Sequence, residues 1–422
     1  PLGLVVGGMS LVSSAPLLPP FAKALTLGPA AEWRFGPLVL DVTRDGVPDL
    51  VATARLLDPA LHLWRGEGQA FTPVPATWTD IGYAAVASAD INQDGWPDLV
   101  SASHFGKIQT LLSDGQGGFT EVIMACDDGA VAVLLAELTG DGQVDLVRVG
   151  FQTAGLEVYA GDGHGHWRRH TRLPEPRPGR TLPGRALAGG DLNHDGHLDL
   201  VAAFNRWGVY LYYGDGQGGF TGGPADVLAP RAFDSLGSTL ALADVNHDGH
   251  PDLVLNGTVD GPGQRHGPEV YLGNGQGGWT ASSEGLKALH VAAPGLAVGD
   301  VDQDGHLDLI AGGAVTSPRA AGYGLFWFKG DGQGHWQLVA ASGLPPQGLA
   351  IPHGVALADL DRDGCLELIT LHGGREGHLT IWKPPACRDS GRATTPLEQG
   401  EGAHPWQRIE IIQEPPAGAS AW

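Results

Sequence analysis

One nine-residue pattern, Asp-x-Asn/Asp-x-Asp-Gly-x-x-Asp, occurs seven times in this chain and constrains it more than any other feature. Position one is Asp41, Asp90, Glu137, Asp191, Asp244, Asp300 and Asp359. Position three is Thr43, Asn92, Thr139, Asn193, Asn246, Asp302 and Asp361. Position five is Asp45, Asp94, Asp141, Asp195, Asp248, Asp304 and Asp363, each followed by glycine. Position nine is Asp49, Asp98, Asp145, Asp199, Asp252, Asp308 and Glu367. Successive copies begin 49, 47, 54, 53, 56 and 59 residues apart. A period of this size is one supersecondary unit that must stack on its neighbours to bury its apolar face, and it suits a four-stranded blade.

A second repeat lies between the acidic loops: Ser113-Asp-Gly-Gln-Gly-Gly-Phe119, Gly161-Asp-Gly-His-Gly-His-Trp167 and Gly214-Asp-Gly-Gln-Gly-Gly-Phe220, with further copies at Gly273 to Trp279 and Gly330 to Trp336. Such a run is a tight turn, with glycine supplying positive φ and an aromatic residue opening the next strand. The fifth repeat reads as strands over Ser238–Ala243, Pro251–Leu255 and Glu269–Leu272, with a fourth from Trp279. No stretch longer than a turn shows helical periodicity. The expected fold is therefore all-β: a seven-bladed propeller of four antiparallel strands per blade. The acidic loop joins the first and second strands, and the propeller fills residues 31–413. Phe21 to Thr26 and Trp406 to Ile412 both read as candidates for the outer strand of the seventh blade. The C-terminal one is preferred, with the N-terminal segment packed beside it.

The loops are expected to hold a cation. Oxygen side chains at positions one, three, five and nine, with a carbonyl at position seven, match a hard ion that takes roughly six to eight oxygens at about 2.3–2.6 Å. Clustered carboxylates repel without one. The loops hold 23 of the 47 acidic residues, and seven Ca²⁺ ions would bring the net charge of −22 to −8. The alternative is a set of Asx-turns closed by hydrogen bonds alone. The loop at Asp300, with four carboxylates, is expected to bind among the tightest and that at Glu137 the weakest.

These loops and their period resemble the FG-GAP/VCBS-repeat family, calcium-loop propellers related to the integrin α-subunit head and to seven-bladed fungal lectins. The resemblance covers residues 35 to 385. It implies up to seven Ca²⁺ sites and a partner-binding face on the side away from them, made by the second-to-third strand loops and the blade-to-blade loops.

Composition narrows the function. With 25 basic residues against 47 acidic ones, no basic stripe is available for nucleic acid. No Gly-x-Ser-x-Gly, His-Glu-x-x-His or phosphate-cradling loop is present. Histidines at positions four and seven of the loops are expected to point to solvent. On the opposite face the ligand-binding candidates are Arg206 and Trp207 in blade four, His104 and Phe105 in blade two, Arg265 and His266 in blade five, and Arg319 and Tyr323 in blade six. An aromatic beside an arginine on an exposed loop suits sugar stacking or a protein hot spot. The leading expectation is a non-catalytic, exported module that binds a protein, outside the cell, in the periplasm or at the cell surface. A lectin and a polysaccharide-active enzyme or accessory domain are the alternatives.

Residues 1–30 read as an apolar arm or the remnant of a signal or anchor segment, whose apolar stretch, Leu2 to Val12, is too short to span a bilayer. Residues 414–422 read as a tail. Of the three cysteines, Cys365 and Cys387 flank one late segment and could pair, or all three could be thiols.

Overall fold

A computed structural model describes residues 21–384, apart from 56, 151–154, 174–183, 205–207, 225–231, 234–238, 257, 261–263, 266, 287–288, 290 and 316–320. Its described residues form seven four-stranded antiparallel sheets and one small three-stranded sheet, with no helix long and apolar enough to cross a membrane. The acidic loops dictate the start of each blade. In blade two, Ala84–Ala89 leads into the loop at Asp90, and Asp98–Ser103, Lys107–Ser113 and Phe119–Ala125 follow outward. Blade five forms its strands at Thr239–Ala243, Asp252–Asn256, Glu269–Gly273 and Trp279–Ala281, within a residue or two of the sequence reading where the latter set bounds.

Inner strands carry small residues because seven of them converge on one axis. Ala84–Ala89 holds four alanines, and Gly184–Gly190 holds three glycines and two alanines. The strands approach closely where the ring closes: a Cβ on Gly354 would lie 1.8 Å from the carbonyl oxygen of Gly36.

The core lies between blades. Seven apolar clusters each join two neighbouring blades, and one of them joins blade seven to blade one through Trp33, Trp64, Ile369 and Ile381. Trp167, Trp279 and Trp336 are buried, as their repeated position implied. Because each blade buries its face only against the next, ring closure is a requirement of stability.

That closure departs from the expectation. The outer strand of blade seven is N-terminal: Ala22–Leu27 pairs antiparallel with Leu379–Lys383, from Ala22 opposite Lys383 to Leu27 opposite Leu379, with a shift of register between Lys23 and Leu25. Phe21 packs edge-on to Trp327 of blade six at 5.9 Å, and Leu27 joins the cluster shared by blades seven and one. This apolar grip at both ends of the strand is the physical reason the N-terminal segment holds the edge. The preferred segment, Trp406 to Ile412, lies outside the described residues.

Blade five carries an addition to the propeller. Thr258–Asp260 pairs with both Ala232–Phe233 and Gln264–Arg265, making the three-stranded sheet beside the second-to-third strand connection.

Candidate metal centres and the opposite face

All seven acidic loops fold alike, and their hydrogen bonds show what each position does. The position-nine carboxylate is a buried clamp. One oxygen of Asp98 accepts the N–H of Ile91 at 2.9 Å, and the other accepts the N–H of Ser113, at the end of the third strand, at 2.7 Å. Asp49, Asp145, Asp199, Asp252 and Asp308 repeat both bonds in their own blades. Glu367 accepts from Leu360 through one oxygen, while its other oxygen is buried without a partner. Burial raises the pKa of these groups: to about 6 in Asp98 and Asp199, about 7 in Asp252 and Glu367, and about 8 in Asp308, where Asp302 adds repulsion.

In five loops position one accepts backbone N–H groups from positions five and six, as Asp90 does from Asp94 at 3.1 Å and Gly95 at 2.9 Å; the longer Glu137 accepts instead from Gly140 and Asp141, and Asp359 accepts from Gly364. Position five accepts the N–H of position seven, as Asp94 does from Trp96 at 2.8 Å. The chain turns this tightly because position four lies in the left-handed region, at φ 49° to 61° in six loops and at Gly140 in the third. There a residue with a side chain carries strain, which the surrounding bonds hold in place.

Position three divides the loops. Where it is asparagine, in blades two, four and five, its amide donates to the position-five carboxylate: Asn92 to Asp94 at 2.8 Å, and Asn193 to Asp195 and Asn246 to Asp248 at 2.9 Å. Where it is aspartate, a lysine of the third strand replaces the amide. Lys329 contacts Asp302 and lies 2.7 Å from Asp304, and Lys383 contacts Asp361. In blade one Arg65 does the same for Asp45 at 3.0 Å. Arg65, Lys329 and Lys383 share one register position, each following the residue opposite Leu50, Leu309 and Leu368 respectively. The lysine spacing was readable in the sequence only with the strand register in hand.

The donor set fits a hard cation. Among the described residues, carboxylate oxygens of Asp300, Asp302 and Asp304 come within 4.8 Å of one another, as do those of Asp359, Asp361 and Glu367. Asp302 Oδ1, Asp359 Oδ1, Asp361 Oδ1, Glu367 Oε1 and the hydroxyls of Thr43 and Thr139 are buried with no hydrogen-bond partner. Orphaned buried oxygens are costly unless something occupies their lone pairs. Only oxygens are offered, which selects against soft metals.

The loop histidines do not simply face water. Position four of one loop reaches the next: Gln93 donates to Gly142 O at 2.6 Å, His247 Nε2 lies 3.0 Å from Gly305 O, and Gln303 donates to Gly364 O. His194 Nε2 sits 2.6 Å from His250 Nδ1, and Arg44 lies over the Trp96 ring at 5.7 Å. These side chains are exposed but spent on coupling adjacent loops, a use that position within a single repeat does not reveal.

On the other face, Phe105 is 67% exposed at the tip of the second-to-third strand turn of blade two. It stands edge-on to Tyr83 at 5.7 Å, and Tyr83 packs on His104 at 4.5 Å. Arg55 lies over Tyr83 at 5.9 Å. Tyr323 is half-buried and bridges to Leu349, while Arg265 lies in the three-stranded sheet. Arg206, Trp207, His266 and Arg319 lie outside the described residues. Cys365 is disulfide-bonded and Cys126 is a free thiol; Cys387 lies outside the described residues.

The FG-GAP-like repeat matches residues 41–101, 90–148, 137–202 and 191–255, an unbroken run over just over half of the chain. The chain belongs to this family. Each match runs from one acidic loop through the next, so the FG-GAP-like repeat comprises the loop, three strands and the first strand of the following blade. Among curated relatives, bovine (Bos taurus) phosphatidylinositol-glycan-specific phospholipase D is 30% identical over 200 residues, covering 44% of this chain and 19% of the relative. Human integrin alpha-7 is 33% identical over 145 residues, covering 31% of this chain and 12% of the integrin. The chain thus spans about a fifth or less of these relatives. An Agrocybe aegerita lectin solved for recognition of non-reducing terminal N-acetylglucosamine superposes with a TM-score of 0.50 and 19% identity, over 75% of this chain and 84% of the lectin. At that identity the likeness is one of fold.

Proposed function

We propose that this chain is an exported, calcium-stabilised propeller that binds a protein through the face opposite its acidic loops and performs no catalysis. Calcium would be held by positions one, three, five and nine with the position-seven carbonyl, most fully in blades six and seven. The orphaned oxygens of Asp302, Asp359, Asp361 and Glu367 support that assignment. The loop carboxylates are engaged in clamping backbone, which favours a structural role for the acid-rich half of the molecule. The disulfide at Cys365 supports an oxidising compartment.

The observation that carries the binding reading is Phe105. An aromatic ring 67% exposed, backed by Tyr83, His104 and Phe35 with Arg55 beside them, has the composition of a protein hot spot. Capture from the native cell envelope, with Phe105→Ser as the matched control, tests it. A partner retained by the unaltered chain and lost by the variant supports the reading. A glycan array yielding one specific sugar, competed by no envelope protein, would replace it with a lectin.

A further inference from the structure

The propeller axis holds a cavity of about 500 Å³, lined by the inner strands of all seven blades. Inner strands run toward the acidic loops, so the residues at their beginnings form the end remote from the metal. That end carries Arg34, Tyr83, His104, Arg185, Thr239 and His353, all half-buried. Deeper lie Val86, Val133, Leu134, Leu240 and Leu242. The chain has 47 acidic residues, yet among the described residues none lines this cavity, and the charged groups that do are two arginines.

The arginine field is felt by the histidines. After burial, which is the larger cause, Arg34 depresses both His104 and His353, to about 4 and about 3, and Arg185 adds to the effect on His104. Both imidazoles are therefore neutral at pH 7 and able to donate one hydrogen bond. Arg34 is braced by Glu32, which also faces Arg55 at 3.7 Å, while its Nε is buried without a partner. Arg185 Nη1 donates to Gly184 O at 2.9 Å. Asp128 acts on His104 in the opposite sense, from outside the lining.

We infer that the axial cavity binds a small organic carboxylate, with the carboxylate at the arginine end and a compact apolar body against the valine and leucine floor. The volume lies in the range of small-molecule sites, and a few polar groups above an apolar wall is their usual makeup. Arginine presents paired N–H groups that match a carboxylate. This site adjoins the Phe105 surface and shares Tyr83 and His104 with it, but it rests on Arg34 and Arg185 and survives the failure of that reading.

The test titrates the full chain, in saturating Ca²⁺, with benzoate, neutral benzamide and cationic benzamidine, read by calorimetry and ligand-observed NMR. Benzoate is expected to bind at least tenfold more tightly than benzamide, with benzamidine weaker still. Arg34→Gln should lower benzoate affinity about tenfold, a loss of about 1.4 kcal/mol, and Arg34→Lys should retain most of it. If Arg34→Gln does not fold, Arg185→Gln carries the same expectation. Equal binding of the three probes, no benzoate binding at millimolar concentration, or unchanged affinity in the folded glutamine variants would overturn the proposal.

Discussion

Lys329 places its ammonium 2.7 Å from Asp304 and in contact with Asp302, at the mouth of a loop that carries four carboxylates. The loop therefore has an internal counter-ion at the place where a metal would lie. Its net charge equals that of the three-carboxylate loops, which removes the ground for expecting the tightest binding there. Replacing Lys329 with methionine should lower stability in chelator by about 1 kcal/mol, a modest figure because the ammonium is a third exposed. In saturating Ca²⁺ the same change should cost nothing and should tighten binding at this loop. Urea midpoints with and without Ca²⁺ check the first claim, and calorimetry checks the second.

Positions five and nine should separate in the same experiment. Asp98 is fully buried and accepts two backbone N–H groups, from Ile91 and Ser113. Asp98→Ala orphans both donors and should cost about 2–4 kcal/mol even in chelator, with a further loss in Ca²⁺ because position nine is one of the oxygens proposed to hold the metal. Asp94 is exposed and caps only its own loop and its Asn92 partner. Asp94→Ala should cost most of its effect in Ca²⁺ and little in chelator. Equal losses under both conditions for Asp94→Ala would remove it from the metal site.

The pH dependence has two parts of opposite sign. Asp98, Asp199, Asp252, Asp308 and Glu367 have folded pKa values raised to between about 6 and about 8 by burial. Without metal, the folded state holds protons that the unfolded state has released. Stability then falls as pH rises from about 4 through 8. His104, His353 and His372 are depressed to about 4, 3 and 4, again by burial first. There the unfolded state binds protons sooner, so stability falls as pH drops below about 6.5. In chelator the unfolding midpoint should drop between pH 6 and pH 8. In Ca²⁺, which takes the place of the protons, that drop should vanish while the acid limb remains. Identical profiles in the two conditions would contradict the assignment.

Ring closure supplies a truncation test. Ala22–Leu27 is the outer strand of blade seven, and Phe21 packs on Trp327. Deleting residues 1–30 should expose the edge of Leu379–Lys383 and unzip the apolar cluster between blades seven and one. The loss expected is at least about 3 kcal/mol, since several large side chains leave the core. Circular dichroism melting reads it out. A deletion that melts with the full chain would return the closing role to another segment.

Much of this molecule was legible because its repeats are short-range. The loop spacing gave the blade number, the glycine-aromatic turns gave the third and fourth strands, and alternation of position gave the oxygens. What stayed hidden is set by contacts between distant residues. The edge of blade seven joins Ala22 to Lys383, a pairing between the two ends of the chain that the pattern of neither segment reveals. The Lys329 counter-ion depends on strand register, and the His194–His250 contact depends on the angle between blades. On the face opposite the loops, Phe105 could be located, but the side chains around it come from blades one and two together.

If the acidic loops are calcium sites on which the fold depends, melting in chelator will show it. Each site that binds only the folded chain adds about 2.7 kcal/mol at a hundredfold excess over Kd. Several together rival the roughly 5–15 kcal/mol of a whole domain. Elemental analysis of protein never exposed to chelator should find calcium. Chelation should lower Tm by more than about 10 °C, a size that follows from losing several such sites. Ca²⁺ should reverse that fall more fully than Mg²⁺, which demands a stricter octahedral geometry. A Tm indifferent to chelator, with no calcium in the protein, would contradict the calcium assignment.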